Sequence, residues 1–294
     1  MTKKVICFGE MLWDVFPDQK IAGGAPMNVA IRLQSLGIQS SIISGIGNDK
    51  QGKELLSIVN QRKVDVSFVQ VKDNLPTGEV KVSLKDGIPS YDIIYPSAWD
   101  KIETNPINLD AVALADAFVF GSLACRDEVS SRTLQNLIDK ANFRVFDINI
   151  RKPFFNLDMA LNLMKKSNLI KLNDEELSEI ATQLGAQNND LKADMIFISE
   201  KTGVGNICVT RGKNGAIYLS DGKFYENPGY MVKVEDTVGA GDSFLAAFLS
   251  GLLNSREKQK CIDFACAMGA MVASRKGANP FVSEDDIQKL VSKS

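Results

Sequence analysis

Short runs rich in β-branched and aromatic residues alternate with amphipathic, helix-like stretches through most of this 294-residue chain. This alternation limits the fold strongly, because strands connected through helices pair in parallel and need helices on both faces of the sheet. We therefore expect an α/β fold with a mainly parallel sheet, whose ligands bind at the carboxyl ends of the strands. Strands are predicted at 5–9, 42–45, 117–121, 145–148, 169–172, 207–210 and 216–219, and helices at 25–36, 52–62, 129–141, 174–184, 239–253, 261–274 and 284–291.

One region breaks this rhythm. Gly78–Leu84 alternates polar and apolar residues, Asp86-Gly87 is typical of a hairpin turn, and Tyr91–Tyr95 resumes β character. With Trp13–Phe16 these strands predict a small separate sheet that forms a lid, although an ordinary surface hairpin fits the same pattern. The predicted organisation is one domain over 1–294, with lid strands inserted at about 12–20 and 76–98.

Charge and residue usage exclude several classes of protein. The 34 basic and 36 acidic residues nearly balance and form no basic block, so nucleic acid and anionic membrane are not expected as partners. No apolar run approaches the roughly 20 residues of a membrane span. Glu10 interrupts the N-terminal apolar run before a signal-peptide core can form, so we expect a cytoplasmic protein.

The chain contains no histidine, which excludes a Ser-His-Asp triad, a histidine base and histidine-ligated zinc. Its five cysteines include no C-x-x-C pair and are predicted to be buried free thiols. Acid–base chemistry must therefore rest on carboxylates, lysines or tyrosines.

The segment Asp236–Asp242 reads DTVGAGD and leads directly into an apolar helical pattern. A helix N-terminus presents unsatisfied backbone N–H groups and the positive end of the helix dipole, which suit an anion. Gly239, Ala240 and Gly241 carry almost no side chain that would keep a phosphate away, and Asp242 adds a proton acceptor. A simple turn with an Asp cap is the alternative. The whole segment favours a protein that binds a nucleotide and transfers its phosphate.

A second glycine turn, Gly23-Gly24, enters a helix with Asn28 one turn further on. It matches neither the Walker pattern G-x-x-x-x-G-K-S/T nor the dinucleotide pattern G-x-G-x-x-G. Asp14 lies in a nearby apolar strand pattern, where edge-strand solubility explains such a residue as well as ligand binding does. A carboxylate and an amide beside a glycine turn suit the hydroxyls of a polyol.

With these motifs the chain closely resembles the ribokinase-like (PfkB-type) sugar kinase family, and within it the bacterial fructokinases. The two glycine turns carry most of the resemblance, and Gly47–Gly52 fits the family's G-x-D-x-x-G. The likeness to fructokinases rests on Gly9–Pro17, Pro76–Gly78 and Ala98–Asp100. The resemblance implies a three-layer α/β domain with a small β-sheet lid, and ATP-dependent phosphorylation of a free sugar.

The resemblance also implies roles for individual residues. Asp242 is expected to be the catalytic base, with the amides of Gly239, Ala240 and Gly241 as the anion hole. Sugar hydroxyls are expected at Asp14, Gly24 and Asn28. Asn149 and Arg151 come from a D-x-N-x-R match at 147–151 and are expected to face the substrate or phosphates.

For the nucleotide and ions, Asn173 and Glu176 fit the N-x-x-E pattern linked to phosphate and, through water, to Mg²⁺. The same two residues also fit a helix capping box. A monovalent cation, K⁺, is implied near Asp236, but Phe281 departs from the small polar residue that ribokinase has there. The further ATP contacts implied are Thr210, Arg211, Gly212, Gly239, Gly241 and Asn279.

The predicted activity is therefore transfer of the γ-phosphate of ATP to D-fructose. Ribokinase, adenosine kinase and 2-keto-3-deoxygluconate kinase are alternatives within the family, and Arg151 could supply the cation that a keto-acid sugar needs. A non-catalytic sugar or nucleotide sensor is the alternative from another class, although such a protein would be expected to lose Asp242. Open edges of the lid strands predict a homodimer through the lid.

Overall fold

The computed structural model of this chain describes residues 2–85, 88–187 and 190–292, with the backbone alone for 83–85 and 88–90. Contacts divide the chain into two compact units. The first unit is Met1–Phe118 with Leu123–Asn142, and the second is Val119–Ser122 with Phe143–Ser294.

The first unit contains strands of two sheets and the helices that flank them. Its elements are β1 (Lys4–Phe8), β2 (Leu12–Val15), β3 (Lys20–Gly23), α1 (Ala25–Ser35), β4 (Gln39–Gly47), α2 (Lys50–Gln61), β5 (Val69–Lys72), β6 (Gly78–Lys85), β7 (Ile88–Ile93), α3 (Pro106–Leu114) and α4 (Glu128–Ile138), with short 3₁₀ turns at Ala98–Lys101 and Leu123–Arg126. Strand β8 (Ala117–Gly121) begins in this unit.

In the first unit the main sheet has the order β8-β1-β4-β5. β1 pairs with β4 in parallel, with Cys7 opposite Ile42, and β4 pairs with β5 in parallel. Strands β1 and β4 are almost wholly buried, as expected of parallel strands covered on both faces. The rings of Phe8 and Phe118 pack in the core with their centroids 6.3 Å apart.

The small sheet has the order β3-β2-β6-β7. β2 pairs antiparallel with β3 and parallel with β6, and β6 pairs antiparallel with β7. Its own core is Leu12, Val80 and Val82, against which Phe16 and Ile93 pack. The predicted small sheet from two distant chain segments is therefore confirmed, while the predicted turn at Asp86-Gly87 lies outside the described residues.

In the second unit the strand order is β13-β12-β11-β10-β9-β8. Its elements are β9 (Arg144–Asp147), α5 (Leu157–Lys165), β10 (Leu169–Asn173), α6 (Asp174–Gln183), α7 (Leu191–Thr202), β11 (Ile207–Thr210), β12 (Ala216–Ser220), β13 (Lys223–Asn227), α8 (Ala240–Leu253), α9 (Lys258–Ala273) and α10 (Glu284–Val291). β9, β10 and β11 pair in parallel, whereas β12 and β13 are antiparallel. The predicted α/β class with a mainly parallel sheet is confirmed.

Several elements that the sequence patterns did not predict are present, namely β3, β5, β13, α3, α5 and α7. The unpredicted strands have few fully buried residues, so no alternation marks them. In α3 the apolar residues Ile107 and Leu114 are 70% and 80% exposed, which removes the usual one-sided pattern.

Candidate functional site

In the first unit, Asp14 lies on β2, opposite Ile21 of β3 and Val80 of β6. Its carboxylate lies against the glycine turn, because a Cβ placed on Gly23 would be only 2.3 Å from Asp14 Oδ2. Glycine is therefore required for the approach of this carboxylate to the turn. The structure brings Asp14 and the Gly23-Gly24 turn together, as the predicted polyol site requires.

Gly24 holds a backbone conformation that glycine favours, with φ of 115°. A Cβ at this position would lie 2.4 Å from the carbonyl oxygen of Glu10. Glu10 also accepts a hydrogen bond from the amide of Ala25 (3.3 Å), at the start of α1. Asn28 is buried in the first turn of α1, and its backbone N–H donates to the carbonyl of Gly24 (2.9 Å).

The sequence analysis did not assign Glu10 to the site. It is only 6% exposed and contacts the Gly23-Gly24 turn of the predicted sugar site. Its place in the Gly9–Pro17 segment was the one available indication, but an acidic residue directly after a strand is usually a solvated loop residue.

In the second unit, the Asp236–Asp242 turn leads into α8 as predicted. Gly239 is the N-cap residue, in the left-handed conformation with φ of 72°, and as a glycine it has no side chain to cap the helix. The amide of Ala240 donates to the carbonyl of Thr237 (3.2 Å), within the turn. Asp242 lies in the first turn of α8, beside the positive end of the helix dipole.

The side chain of Asp236 holds the turn together. Its carboxylate accepts hydrogen bonds from the amides of Val238 (3.0 Å) and Gly277 (2.9 Å). A Cβ on Gly239 would lie 2.5 Å from the carbonyl oxygen of Ala278, so the 277–278 backbone packs directly on the turn. The predicted Asn279 follows this contact immediately, and Phe281 is 80% exposed.

The carboxyl end of β9 brings three polar residues together. Asp147 is buried, and its carboxylate accepts from Asn149 Nδ2 (2.9 Å) and from Lys171 Nζ (2.8 Å). Asn149 adopts a positive φ of 46°. The predicted Arg151 is exposed, and its guanidinium donates to the carbonyl of Ile150 (3.0 Å). Lys171 was not identified from the sequence, where it lies between apolar residues of strand β10.

The N-terminus of α6 forms the capping box that was one of the two readings of Asn173 and Glu176. Asn173 Oδ1 accepts from the backbone N–H of Glu176 (2.8 Å), and Glu176 Oε2 accepts from the backbone N–H of Asn173 (2.9 Å). Glu176 Oε1 also accepts from the amide of Ile150 (2.9 Å), which links α6 to the strand end after β9. A carboxylate has about four lone-pair sites, so Glu176 retains acceptor capacity for a metal-bound water.

The predicted nucleotide residues follow β11. Thr210 lies opposite Asn173 in the parallel pair of β10 and β11, so these two predicted residues share one edge of the sheet. The amide of Arg211 donates to the carbonyl of Gly215 (2.8 Å), and its Nη2 donates to the carbonyl of Asn227 (3.3 Å). Gly212 is exposed with φ of 53°.

Within residues 2–85, 88–187 and 190–292, no group of three or more cysteine, aspartate or glutamate side chains is placed to hold a metal ion. Nor does any helix in those ranges have the length and apolarity needed to cross a membrane.

Comparisons with known proteins identify the family of the chain. A model of the family described as "pfkB family carbohydrate kinase" matches residues 2–285. The chain belongs to this family. It is a carbohydrate kinase with an α/β fold that ribokinase-like kinases share.

Three relatives illustrate the similarity. The chain is 31% identical to "Probable fructokinase-5" of Arabidopsis thaliana over 322 residues, covering 99% of this chain and 98% of the relative. It is 26% identical to the crystal structure of a sugar kinase from Pyrococcus horikoshii in complex with ATP, with a TM-score of 0.84 and 98% and 99% coverage. A fructokinase from Vibrio cholerae, bound to fructose, ADP and a calcium ion, has a TM-score of 0.85 at 21% identity with 99% coverage of each chain.

Proposed function

We propose that this carbohydrate kinase phosphorylates D-fructose, transferring the γ-phosphate of ATP to the primary hydroxyl remote from the keto group, with Asp242 as the general base. The observation that carries the proposal is the position of Asp242 in the first turn of α8, a helix whose N-cap residue is the glycine Gly239. An anion-binding helix end and a proton acceptor therefore adjoin each other, which transfer of a phosphoryl group to a hydroxyl needs.

In the proposed reaction the hydroxyl oxygen attacks the γ-phosphorus, its proton passes to Asp242, and ADP leaves. The backbone N–H groups of Gly239 and Gly241 would stabilise the charge on the transferred phosphoryl group, and the Ala240 N–H would do so by sharing its hydrogen bond with the Thr237 carbonyl. Asp14, Gly24 and Asn28 would bind and orient the sugar hydroxyls. Asn149 and Arg151 would contact the sugar or the phosphates.

The residues present fit the nucleotide and ions that the family implies. Thr210, Arg211, Gly212 and Asn279 would hold ATP together with Asn173. Glu176 would hold Mg²⁺ through water, and the ion would neutralise phosphate charge. For K⁺, Asp236 is the candidate ligand, although its carboxylate already accepts two backbone hydrogen bonds.

Fructose is favoured by chemistry and by similarity. One carboxylate and one amide beside a glycine turn match a neutral polyol without a cluster of cations. One relative is named a probable fructokinase and a similar structure holds fructose with ADP. The exposed guanidinium of Arg151 keeps 2-keto-3-deoxygluconate as the second candidate, because that substrate carries a carboxylate.

The substrate is tested with coupled ADP release at saturating ATP and Mg²⁺. Fructose, ribose, tagatose, adenosine and 2-keto-3-deoxygluconate are compared at equal concentrations. We expect kcat/KM for fructose to exceed that for ribose by about 100-fold or more, because a missing hydroxyl leaves buried polar groups unpaired. A higher value for any other sugar contradicts the fructose assignment, and no sugar-dependent turnover at all would favour a sensor.

The base is tested with Asp242→Asn. We expect kcat to fall about 10² to 10⁴-fold, while sugar and ATP affinities stay within a few-fold, because the amide cannot accept the proton. Asp110→Asn makes the same change on the exposed surface of α3 and serves as the matched control. Retention of more than a tenth of the wild-type kcat would exclude Asp242 as the base.

For the assembly we propose a homodimer formed through the lid. β3 and β7 are the edge strands of the small sheet, and an edge strand offers backbone groups to a second copy. Sedimentation equilibrium should give twice the 32.2 kDa of one chain. A monomeric mass at micromolar concentration would refute this assembly.

A further inference from the structure

Lys171 is a buried charge that the proposed reaction does not use. Its side chain is 5% exposed, and its ammonium forms an ion pair with the equally buried Asp147 at 2.8 Å. A lysine inside a sheet is costly unless it is paired, and apolar residues of similar volume often stabilise a fold as well as a buried ion pair does. The cost of this pair therefore calls for an explanation beyond stability.

The sheet register fixes where the ammonium lies. Lys171 of β10 is the direct neighbour of Asp147 in the parallel pair with β9. Its Nζ would lie 3.5 Å from a Cβ built on Gly241, and among the described residues outside α8 and the turn no other heavy atom lies within 4 Å of that point. The ammonium therefore faces the backbone of the Asp236–Asp242 turn, next to Asp242, and is closer to Gly241 than the Asp147 carboxylate is.

The charged groups that face Lys171 come from three elements. They are Asp147 of β9, Glu176 of α6 and Asp242 of α8. Burial alone would lower the pKa of Lys171, but attraction by these carboxylates outweighs it and the pKa is raised. Cys208 of the adjacent strand β11 stays a neutral thiol, because burial raises its pKa well above the ordinary value. Lys171 is thus a permanent positive charge among three acids.

We propose that Lys171 is a positioning residue, whose fixed positive charge beneath the Asp236–Asp242 turn holds the Asp242 carboxylate ionised and in place. The inference rests on the proposed role of Asp242 as the base. Asp147 would anchor the ammonium, whose Nζ lies at ordinary van der Waals distance from the Cβ position of Gly241. A pair that serves the fold alone would leave the ionisation of Asp242 unchanged.

The direct test is a carboxyl ¹³C NMR titration of aspartate-labelled protein, in which Asp242→Asn assigns the Asp242 resonance. In Lys171→Met we expect the pKa of Asp242 to rise, by about 1 unit or more, since a nearby opposite charge lowers a carboxyl pKa. Lys171→Arg keeps the charge and should keep the titration near that of the wild type. An unchanged Asp242 pKa in folded Lys171→Met would overturn the proposal.

A second variant covers loss of folding, because Lys171→Met leaves Asp147 buried without its cation. Asp147→Asn/Lys171→Met removes both charges of the ion pair, so no carboxylate remains at position 147. The pKa of Asp242 should still rise in this double variant, by less, because the ammonium is the nearer of the two charges to the turn. No rise in the folded double variant would also overturn the proposal.

Kinetics separate this inference from the proposed function. In Lys171→Met we expect a lower kcat, while the KM values for sugar and ATP stay within a few-fold of the wild-type values. The acidic limb of the pH profile of kcat should move to higher pH. Lys171→Arg should recover part of kcat. If the wild type phosphorylates no sugar, the proposed function fails, yet the NMR titration still decides whether Lys171 controls the ionisation of Asp242.

Discussion

At the scale of single residues, Gly239 illustrates how backbone geometry and packing combine at the proposed anion site. Gly239 and Gly222 have nearly the same φ, 72° and 71°, so an alanine at either costs about 1–2 kcal/mol in the left-handed region. At Gly222 a Cβ would meet nothing within 4 Å, whereas at Gly239 it would lie 2.5 Å from the carbonyl oxygen of Ala278. Only the second change also displaces a neighbouring segment.

We therefore expect Gly239→Ala to lose clearly more stability than Gly222→Ala and to lower kcat, because the turn must move away from residues 277–278. Urea denaturation and steady-state kinetics on both variants measure these effects. Equal losses of stability, with kcat unchanged in both variants, would show that the contact with Ala278 is not important.

The same scale shows what sequence reasoning about the site can reach. Asp14 and Gly24 were predictable because a carboxylate near a glycine turn is a local pattern, and the structure places them together. Lys171 and Glu10 were not, because their importance comes from neighbours far along the chain. Lys171 meets Asp147 through strand pairing and Gly241 through the packing of α8, and neither contact leaves a trace in a single sequence.

At the scale of elements, predictions succeeded where local chemistry sets the ends. α10 (Glu284–Val291) was predicted to the residue, and it begins at Ser283 with a capping box. β11 (Ile207–Thr210) begins with three buried apolar residues between polar neighbours and was also predicted to the residue. Strand β13 is half exposed, so tertiary pairing with β12 rather than pattern defines it.

Elements of the first unit are also joined by a buried ion pair outside the candidate site. Arg126 binds Asp100 through two hydrogen bonds of 2.7 and 2.8 Å, and the two side chains are 1% and 0% exposed. Its guanidinium lies 3.9 Å from the ring of Trp99 and donates to the carbonyl of Ile94, just after β7. One side chain therefore ties the end of the small sheet to the 3₁₀ turn at 98–101.

Replacement of Arg126 by methionine should cost about 3–5 kcal/mol of stability, because it leaves the buried Asp100 without its cation. The matched control is Arg132→Met, which removes an exposed helix pair with Glu128 and should cost about 0.5 kcal/mol or less. Chemical denaturation of both variants gives the comparison. Similar losses in the two would mean that Asp100 is satisfied without Arg126.

At the scale of the whole molecule, the absence of histidine predicts a stability that is nearly flat from about pH 5 to 8. Hydrogen bonding to the Arg275 side chain lowers the pKa of Asp286 to about 2, and backbone hydrogen bonding at Lys4 lowers the pKa of Asp116. A carboxyl group whose pKa is lower in the folded protein stabilises the fold at pH values above its pKa in the unfolded chain. That stabilisation is lost as pH falls, so acid unfolding should begin below about pH 4.

The alkaline side should be governed partly by thiols. Burial raises the pKa of Cys266 to about 12, whereas an unfolded thiol ionises near pH 8.5. A thiol whose pKa is raised by folding stabilises the protein at pH values below its pKa in the unfolded chain. This stabilisation is lost as the pH rises toward the pKa of the thiol in the folded protein. Between about pH 9 and 11 each such thiol should therefore cost about 1.4 kcal/mol per pH unit.

Cys266→Ala should make this alkaline decline shallower by about that amount, whatever its effect at neutral pH, because one ionising group is removed from the unfolded chain. Ser250→Ala is the control, since it removes a buried hydroxyl that does not titrate in this range. Urea denaturation under reducing conditions at pH 8, 9 and 10 gives the change of the unfolding free energy with pH for the wild type and for each of the two variants. If Cys266→Ala declines as steeply as wild type and Ser250→Ala, the Cys266 thiol ionises as readily in the folded protein as in the unfolded chain, and burial does not hold it neutral.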